Sequence, residues 1–348
     1  MIKSLQGLRA LGMNGIFLFH SGLLLKGTFP VTFFFMLSGF VLYYSYSNRI
    51  KSINFSESIN WIVSRMKKLY PIHIITFMMS IFIRWEWISE FEITDIINKA
   101  LLNIFLLQSL SRKHIFTFNG LSWFLSTTFI LYILAIPLML LIKKIKFKKL
   151  HNLILLILVL QNIVIFINNS QKYELSLYTS PFFRVFDFAI GMIIAKKFID
   201  EYKDDAKYKY YSFYEFGILI LFSIMYIITL VSSAKLEYAL SYYSPIFVLG
   251  IYIFAHEKGF ISKLLCNEVL QKIAKFSFEF YMVHELILIL FRNVFENLTY
   301  HWLIKNIIIS IPSLIISLLL AIVLNKFITN KEIFKLIASK DKESLEVV

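Results

Sequence analysis

Long apolar runs separated by short basic clusters organise this 348-residue chain. With a spanning length of roughly 17 to 25 residues, ten stretches read as transmembrane helices: residues 8–25, 30–47, 69–88, 121–142, 150–167, 181–198, 213–233, 240–256, 273–293 and 303–327. An eleventh, 97–111, is shorter and carries Asn103 and Gln108. Its status decides the topology. If it does not cross, the clusters at 3–9, 49–68, 143–149, 196–209, 258–275 and 326–342 fall on one side and hold most of the 36 Lys and Arg. That asymmetry is the signature of cytoplasmic loops. If it crosses, KKIKFKK at 143–149 faces outward. The pattern therefore predicts an all-α polytopic membrane protein of about ten transmembrane helices with both termini cytoplasmic. A re-entrant or interfacial segment lies near 97–111. No linker rich in Gly, Ser or Pro, heptad region or low-complexity block divides the chain. One transmembrane domain over 1–329 is expected, then a short charged cytoplasmic tail over 330–348, with no fused extracytoplasmic domain.

Composition agrees. The chain is 58% hydrophobic, has 36 Phe and only 17% charged residues, and its mean hydropathy is +0.70. This is too apolar for an average soluble domain. The net charge of +14 does not point to nucleic acid, because the cations sit between apolar segments and no recognition motif accompanies them. Lys3 precedes an apolar run as in a signal peptide, but Arg9 and His20 punctuate that run and no small-residue cleavage pattern follows. The run reads as the first helix. Cys266 is the only cysteine, which excludes an intramolecular disulfide and reads as structural.

Ten residues separate Arg9 from His20. At 100° per residue, eleven steps return almost to the starting angle, so the two share one helix face about 16 Å apart along the axis. Ionisable residues inside membrane helices are costly and usually face the protein interior or a wet cavity. In a first helix at 8–25, Arg9 sits at the cytoplasmic mouth and His20 near mid-membrane.

The runs SLQGLRALGMNGIFLFH at 4–20 and GTFPVTFFFMLSGFVL at 27–42 resemble the integral-membrane acyltransferase 3 family. Residues 65–71, RMKKLYP, resemble its basic loop entering the third helix, with Tyr70 and Pro71 at the entrance. NGLSWFLSTTFILY at 119–132 is similar to its Trp and Ser motif opening the fourth helix. PFFRVFDFAIGM at 181–192 and FSFEFYMVH at 276–284 fit its later segments, so the similarity runs from residue 4 to about 320. The resemblance implies transfer of an acyl group, usually acetyl from acetyl-CoA, to a hydroxyl of a cell-envelope carbohydrate. The arginine and histidine of the family's first helix fall on Arg9 and His20. Arg9 suits a CoA phosphate through charge-assisted bonds, and a neutral His20 suits proton abstraction from an attacking hydroxyl.

Each position has a plainer alternative. His20 is either the catalytic base or a polar group satisfied by a neighbouring helix, and Arg9 either binds acyl-CoA or snorkels to headgroups. Arg65, Lys67 and Lys68 form a cytoplasmic cluster on an amphipathic segment beginning near Ser56; Arg65 and Lys68 contact either acyl-CoA or anionic lipid. Lys68 departs from the family's usual second Arg and loses bidentate phosphate geometry. Ser38 and Gly39 read as close helix packing in preference to a reactive serine. Thr127 and Thr128 stand where many members carry Glu, so another group must orient the base if that carboxylate does so elsewhere. Arg184 and Asp187, three apart on one face, form an ion pair or serve the acceptor or the histidine's network. His284 matches a late family histidine, beside Glu279 and Glu285, which offer it a local ion pair. Asp187 and His284 are second-rank catalytic candidates. His73, His114, His151, His256 and His301 receive no role. No metal-ligand spacing, phosphate loop or dinucleotide fingerprint is present.

The expectation is an acetyl-CoA-dependent O-acetyltransferase of the bacterial inner membrane. Its partners are acyl-CoA, an envelope carbohydrate and the lipid bilayer, with acetyl-CoA as acyl donor. The alternatives are a longer acyl group such as succinyl, or a non-catalytic transporter or flippase component of polysaccharide export.

Overall fold

The computed structural model describes residues 2–24, 29–170, 177–201, 210–231, 236–297 and 299–329. The expected tail at 330–348 lies outside them. The described residues form helices and turns and no strands. The helices are α1 (Lys3–His20), α2 (Pro30–Tyr46), α3 (Phe55–Ile83), α4 (Trp85–Ser89), α5 (Ile93–Ile104), α6 (Trp123–Lys143), α7 (Phe147–Ser170), α8 (Pro181–Glu201), α9 (Tyr211–Val231), α10 (Leu236–Ala255), α11 (Phe260–Leu265), α12 (Glu268–Lys275), α13 (Ser277–Val294) and α14 (Trp302–Leu324). Each of the ten segments expected to span overlaps a long helix, with 69–88 running from α3 into α4 and 273–293 from the end of α12 into α13. Among the described residues, five helical stretches, Phe55–Ile83, Gly120–Lys143, Phe147–Asn168, Tyr211–Val231 and Trp302–Ile328, are long and apolar enough to cross a membrane; Pro30–Tyr46 and Tyr243–Ala255 are apolar but shorter.

The outer surface shows what solvent this fold requires. On α9, Phe213, Phe216, Ile220, Ile224, Ile227 and Val231 are all exposed. A soluble protein does not leave such a continuous apolar face in water, whereas a helix satisfies its backbone internally and tolerates hydrocarbon on every side.

At the centre, α2 crosses α8 at the closest backbone approach. A Cβ on Gly39 would stand 2.0 Å from the carbonyl oxygen of Phe188, and one on Gly191 would stand 1.9 Å from that of Met36. Reciprocal glycines thus set the distance between the helices, as close packing through small residues predicts. Phe35, Met36, Phe40, Phe188, Met192 and Ile193 fill the surrounding core. The helices α6, α7 and α10 pack around this pair, while α13 and α14 pair on the other side of α1. Met13 and Phe17 of α1 join Phe280, Leu288 and Ile309 in a second core.

Two boundaries differ from the sequence expectation. The first helix runs from Lys3 to His20 and not over 8–25, so His20 is its last residue and sits at a helix end instead of mid-span. The third begins at 55, where Asn54 caps it by accepting from the Glu57 amide at 3.3 Å. The amphipathic segment simply continues into the apolar one, so Tyr70 and Pro71 lie inside this helix and not at its entrance.

The segment near 97–111 is not a full crossing helix. At 1.5 Å per residue, the 12 residues of α5 extend about 18 Å against a hydrocarbon core of roughly 30 Å. Ile93, Ile97, Leu101 and Phe105 face outward, while Lys99 and Asn103 are buried. The chain then turns at Leu106, in the left-handed region with φ 55°, and is pinned from both neighbours. Tyr70 and His73 of α3 bond the carbonyls of Ile104 (3.0 Å) and Asn103 (2.9 Å). Ser126 of α6 donates to the carbonyl of Leu106 at 2.7 Å, and Gln108 donates to the Ser122 hydroxyl at 3.1 Å.

Because the groups opposite Gly39 and Gly191 are backbone carbonyls that cannot rotate away, Gly39→Ala and Gly191→Ala each separate α2 from α8. Each is expected to lower stability by at least the roughly 1–3 kcal/mol of an overpacked core, read as a depressed melting temperature in detergent. Gly15→Ala, whose Cβ meets nothing within 4 Å, is the tolerated control.

Candidate active site

The face of α1 that carries Arg9 also carries Met13, Ile16 and His20, at steps of four, three and four residues. It looks across to α13. At the N-terminal end, Arg9 lines a cavity of about 320 Å³ together with Ser38 and Tyr46 of α2, Arg65 of α3, and Thr128 and Tyr132 of α6. Among the described residues neither guanidinium has a carboxylate within 4 Å; Glu279 of α13 acts on Arg9 from further away. The Arg65 guanidinium lies 4.8 Å from the Tyr46 ring centroid, and its buried Nε has no hydrogen-bond partner. A smaller cavity of about 50 Å³ adjoins this one. It shares Arg9, Phe34 and Phe124 with the first and continues past Met13 and Ile16 to Tyr281 of α13.

Beyond Tyr281, whose ring is 5.9 Å from that of His284, the two histidines meet. The rings of His20 and His284 are 5.4 Å apart. His284 is fully buried. It stacks on Phe280 at 5.4 Å and points Nδ1 at the Phe280 carbonyl at 3.2 Å. Glu285, the next residue on α13, brings Oε1 to 3.8 Å from His20 Nδ1, and both side chains are about one quarter exposed. Two turns further on, Arg292 donates to the His20 backbone carbonyl. His20 therefore faces protein groups and not lipid.

A contrasting hollow of about 310 Å³ lies on the adjacent face of α1, lined by Leu8, Leu11, Gly12 and Gly15 with Phe222 of α9 and Phe247 of α10. It contains no titratable group, so the capacity for chemistry belongs to the Arg9 to His20 face. That face joins cations without carboxylate partners at one end to an imidazole and a carboxylate at the other.

A family model described as an acyltransferase domain matches residues 2–326. The chain belongs to the acyltransferase 3 family. No curated protein and no solved structure matches it. Family membership makes this an acyltransferase whose helices are those of a membrane protein.

Within this acyltransferase, the structure brings Arg9 and Arg65 to one cavity and His20 and His284 to one cluster. Lys68, three residues after Arg65, is exposed and does not line the cavity. Asp187 stands apart. Its Oδ2 takes the Arg184 guanidinium at 2.8 Å and its Oδ1 accepts from Gln161 at 2.8 Å, all of them buried. Arg184 also donates to Thr32 at 3.0 Å and to the Tyr178 carbonyl at 2.8 Å. The pair closes on its own neighbours. Thr127 and Thr128 are likewise occupied, donating to the carbonyls of Thr179 (2.9 Å) and Phe124 (2.8 Å).

Three residues of the site escaped the sequence reading. Tyr132 and Tyr46, which line the cavity, resemble any other aromatic in a chain with 19 Tyr and 36 Phe. Glu285 stood out only as a partner for His284. It is adjacent to His284 in sequence, yet the 100° helical step turns it toward His20 instead. Glu279 accepts from Asn325 through Oε1 at 3.0 Å and lies within electrostatic reach of Arg9.

Removing one member of a buried ion pair leaves an uncompensated charge, at a cost of about 3–5 kcal/mol, whereas replacing both by apolar groups is often neutral. Arg184→Met is therefore expected to lower the melting temperature and yield sharply. Arg184→Met combined with Asp187→Leu is expected to recover most of the loss in the same thermal-unfolding measurement.

Proposed function

We propose that this acyltransferase is an O-acyltransferase that moves an acyl group, acetyl foremost, from acyl-CoA to a hydroxyl of a cell-envelope carbohydrate. The observation that carries the reading is the shared cavity of Arg9 and Arg65. Two guanidiniums without carboxylate partners suit the phosphates of CoA, since planar charge-assisted bonds are the ones arginine makes best. In a bacterial inner membrane with the N-terminus cytoplasmic and ten crossings, that cavity opens toward the compartment that holds acetyl-CoA. Lys67 and Lys68, exposed on the same segment, add positive charge near its mouth. The pantetheine arm then runs along the α1 face, past Met13 and Ile16, on a path comparable to its extended length.

His20 is the base. A neutral imidazole takes the hydroxyl proton as the oxygen attacks the thioester carbon. The carbon–sulfur bond breaks as the carbon–oxygen bond forms, and the proton passes to the departing thiolate of CoA. His284 packs against the base and excludes water from one side of it. A site enclosed in this way suppresses hydrolysis of the thioester. Asp187, held by Arg184 and Gln161, supports the α8 framework.

The test is transfer of label from radiolabelled acetyl-CoA to envelope glycan by the purified protein in nanodiscs. Wild type is expected to transfer label and His20→Ala to abolish it. Arg9→Ala and Arg65→Ala are each expected to raise the KM for acetyl-CoA about tenfold, the loss of one charge-assisted contact, with a smaller change in kcat. A protein that moves glycan without acetyl-CoA and tolerates His20→Ala overturns the reading.

A further inference from the structure

Two residues of α13 grip His20 from one helix face. Glu285 and Arg292 are seven positions apart, two helical turns, and so point the same way. Glu285 Oε1 lies 3.8 Å from the His20 ring nitrogen Nδ1, and Arg292 donates to the His20 backbone carbonyl. The second contact matters because His20 ends α1, where carbonyls have no partner further along the helix. Arg292 thereby fixes the backbone that bears the ring. The turn before α6 makes room for the carboxylate. A Cβ on Gly120 would stand 3.2 Å from Glu285 Oε2. The neighbouring His284 makes no ion pair with it: Nδ1 faces the Phe280 carbonyl of its own helix, and the buried Nε2 has no hydrogen-bond partner.

We propose that Glu285 is the positioning residue of His20: its carboxylate holds Nδ1 and leaves Nε2 to take the acceptor's proton. This rests on the reading of His20 as the base. A separation of 3.8 Å is long for a hydrogen bond, but catalytic contacts in an empty site commonly tighten once substrate is bound. During transfer, Nε2 accepts the hydroxyl proton and the resulting imidazolium sits against the carboxylate. The same proton then leaves from Nε2 to the thiolate of CoA. Glu285 neither gains nor loses a proton, as in the carboxylate of a serine-protease triad, which orients the imidazole and stabilises its charged form. Asp187 cannot take this part, being enclosed by Arg184 and Gln161. The charged groups around the pair are Arg292 on α13 and Arg84 at the end of α3.

The test uses the full-length protein in nanodiscs with radiolabelled acetyl-CoA and isolated envelope glycan. Glu285→Gln is expected to lower kcat by about 10²-fold or more, the scale of acid–base assistance, with KM for acetyl-CoA within about twofold of wild type. Glu285→Asp is expected to retain more activity than Glu285→Gln. A second measurement needs no turnover: the rate at which diethyl pyrocarbonate modifies His20 at fixed pH, read by peptide mass spectrometry. A carboxylate on one ring nitrogen makes the other more basic and nucleophilic, so modification is expected to slow in Glu285→Gln. A merely structural role predicts the opposite, because a loosened ring becomes more accessible and reacts faster. Wild-type kcat in Glu285→Gln, or unchanged or faster His20 modification, overturns the proposal. If wild type transfers no acetyl group, the reading of the substrate falls, and the modification rate alone decides the role of Glu285.

Discussion

An ionisable group inside an apolar bundle must either be neutralised by a partner or look into a cavity. The architecture follows from where this chain uses each solution. Arg184 is enclosed by Asp187, Thr32 and the Tyr178 carbonyl, and the pair ties α8 to α2 and to the chain ahead of α8. Arg9 and Arg65 take the other course and share a cavity. Both arrangements place arginine among aromatics, yet of the two only the second borders a cavity. The distinction separates framework from site without reference to any substrate.

The helix α13 is the common boundary of the candidate site. Its first turns close the small cavity through Phe278 and Tyr281, its middle supplies His284 and Glu285, and its end clamps the last residue of α1. The opening motif of α6 is bound to it as well: Asn119 donates to the Met282 carbonyl at 2.9 Å, and the Tyr281 hydroxyl donates to the Leu121 carbonyl at 3.2 Å. The NGLSW sequence thus acts by holding α6 against α13, with Asn119 also capping the turn it begins.

Much of this was legible beforehand because the governing signals are periodic. Apolar run length locates the long helices, and the 100° step puts Arg9 and His20 on one face. Gly39 was legible as a packing residue, although its partner Gly191 on α8 was not, since glycine says that something comes close but not what. Boundaries were less legible. The polar start of α1 and the amphipathic start of α3 carry no apolar run, yet capping and tertiary contacts make them helical. Glu285 was misread for a different reason. Adjacency in sequence suggested His284, whereas helical geometry turns neighbouring side chains apart and hands the carboxylate to another helix.

The inward Lys99 and Asn103 of α5 make that short helix inverted in character, apolar outside and polar within. Its terminal carbonyls and the following turn are answered by hydroxyl, phenol and imidazole groups from the flanking helices, so the backbone leaves the helix without presenting these peptide groups bare to hydrocarbon. Tyr70, His73 and Ser126 therefore act as a surrogate solvent for this turn, giving its carbonyls the partners that water would supply elsewhere.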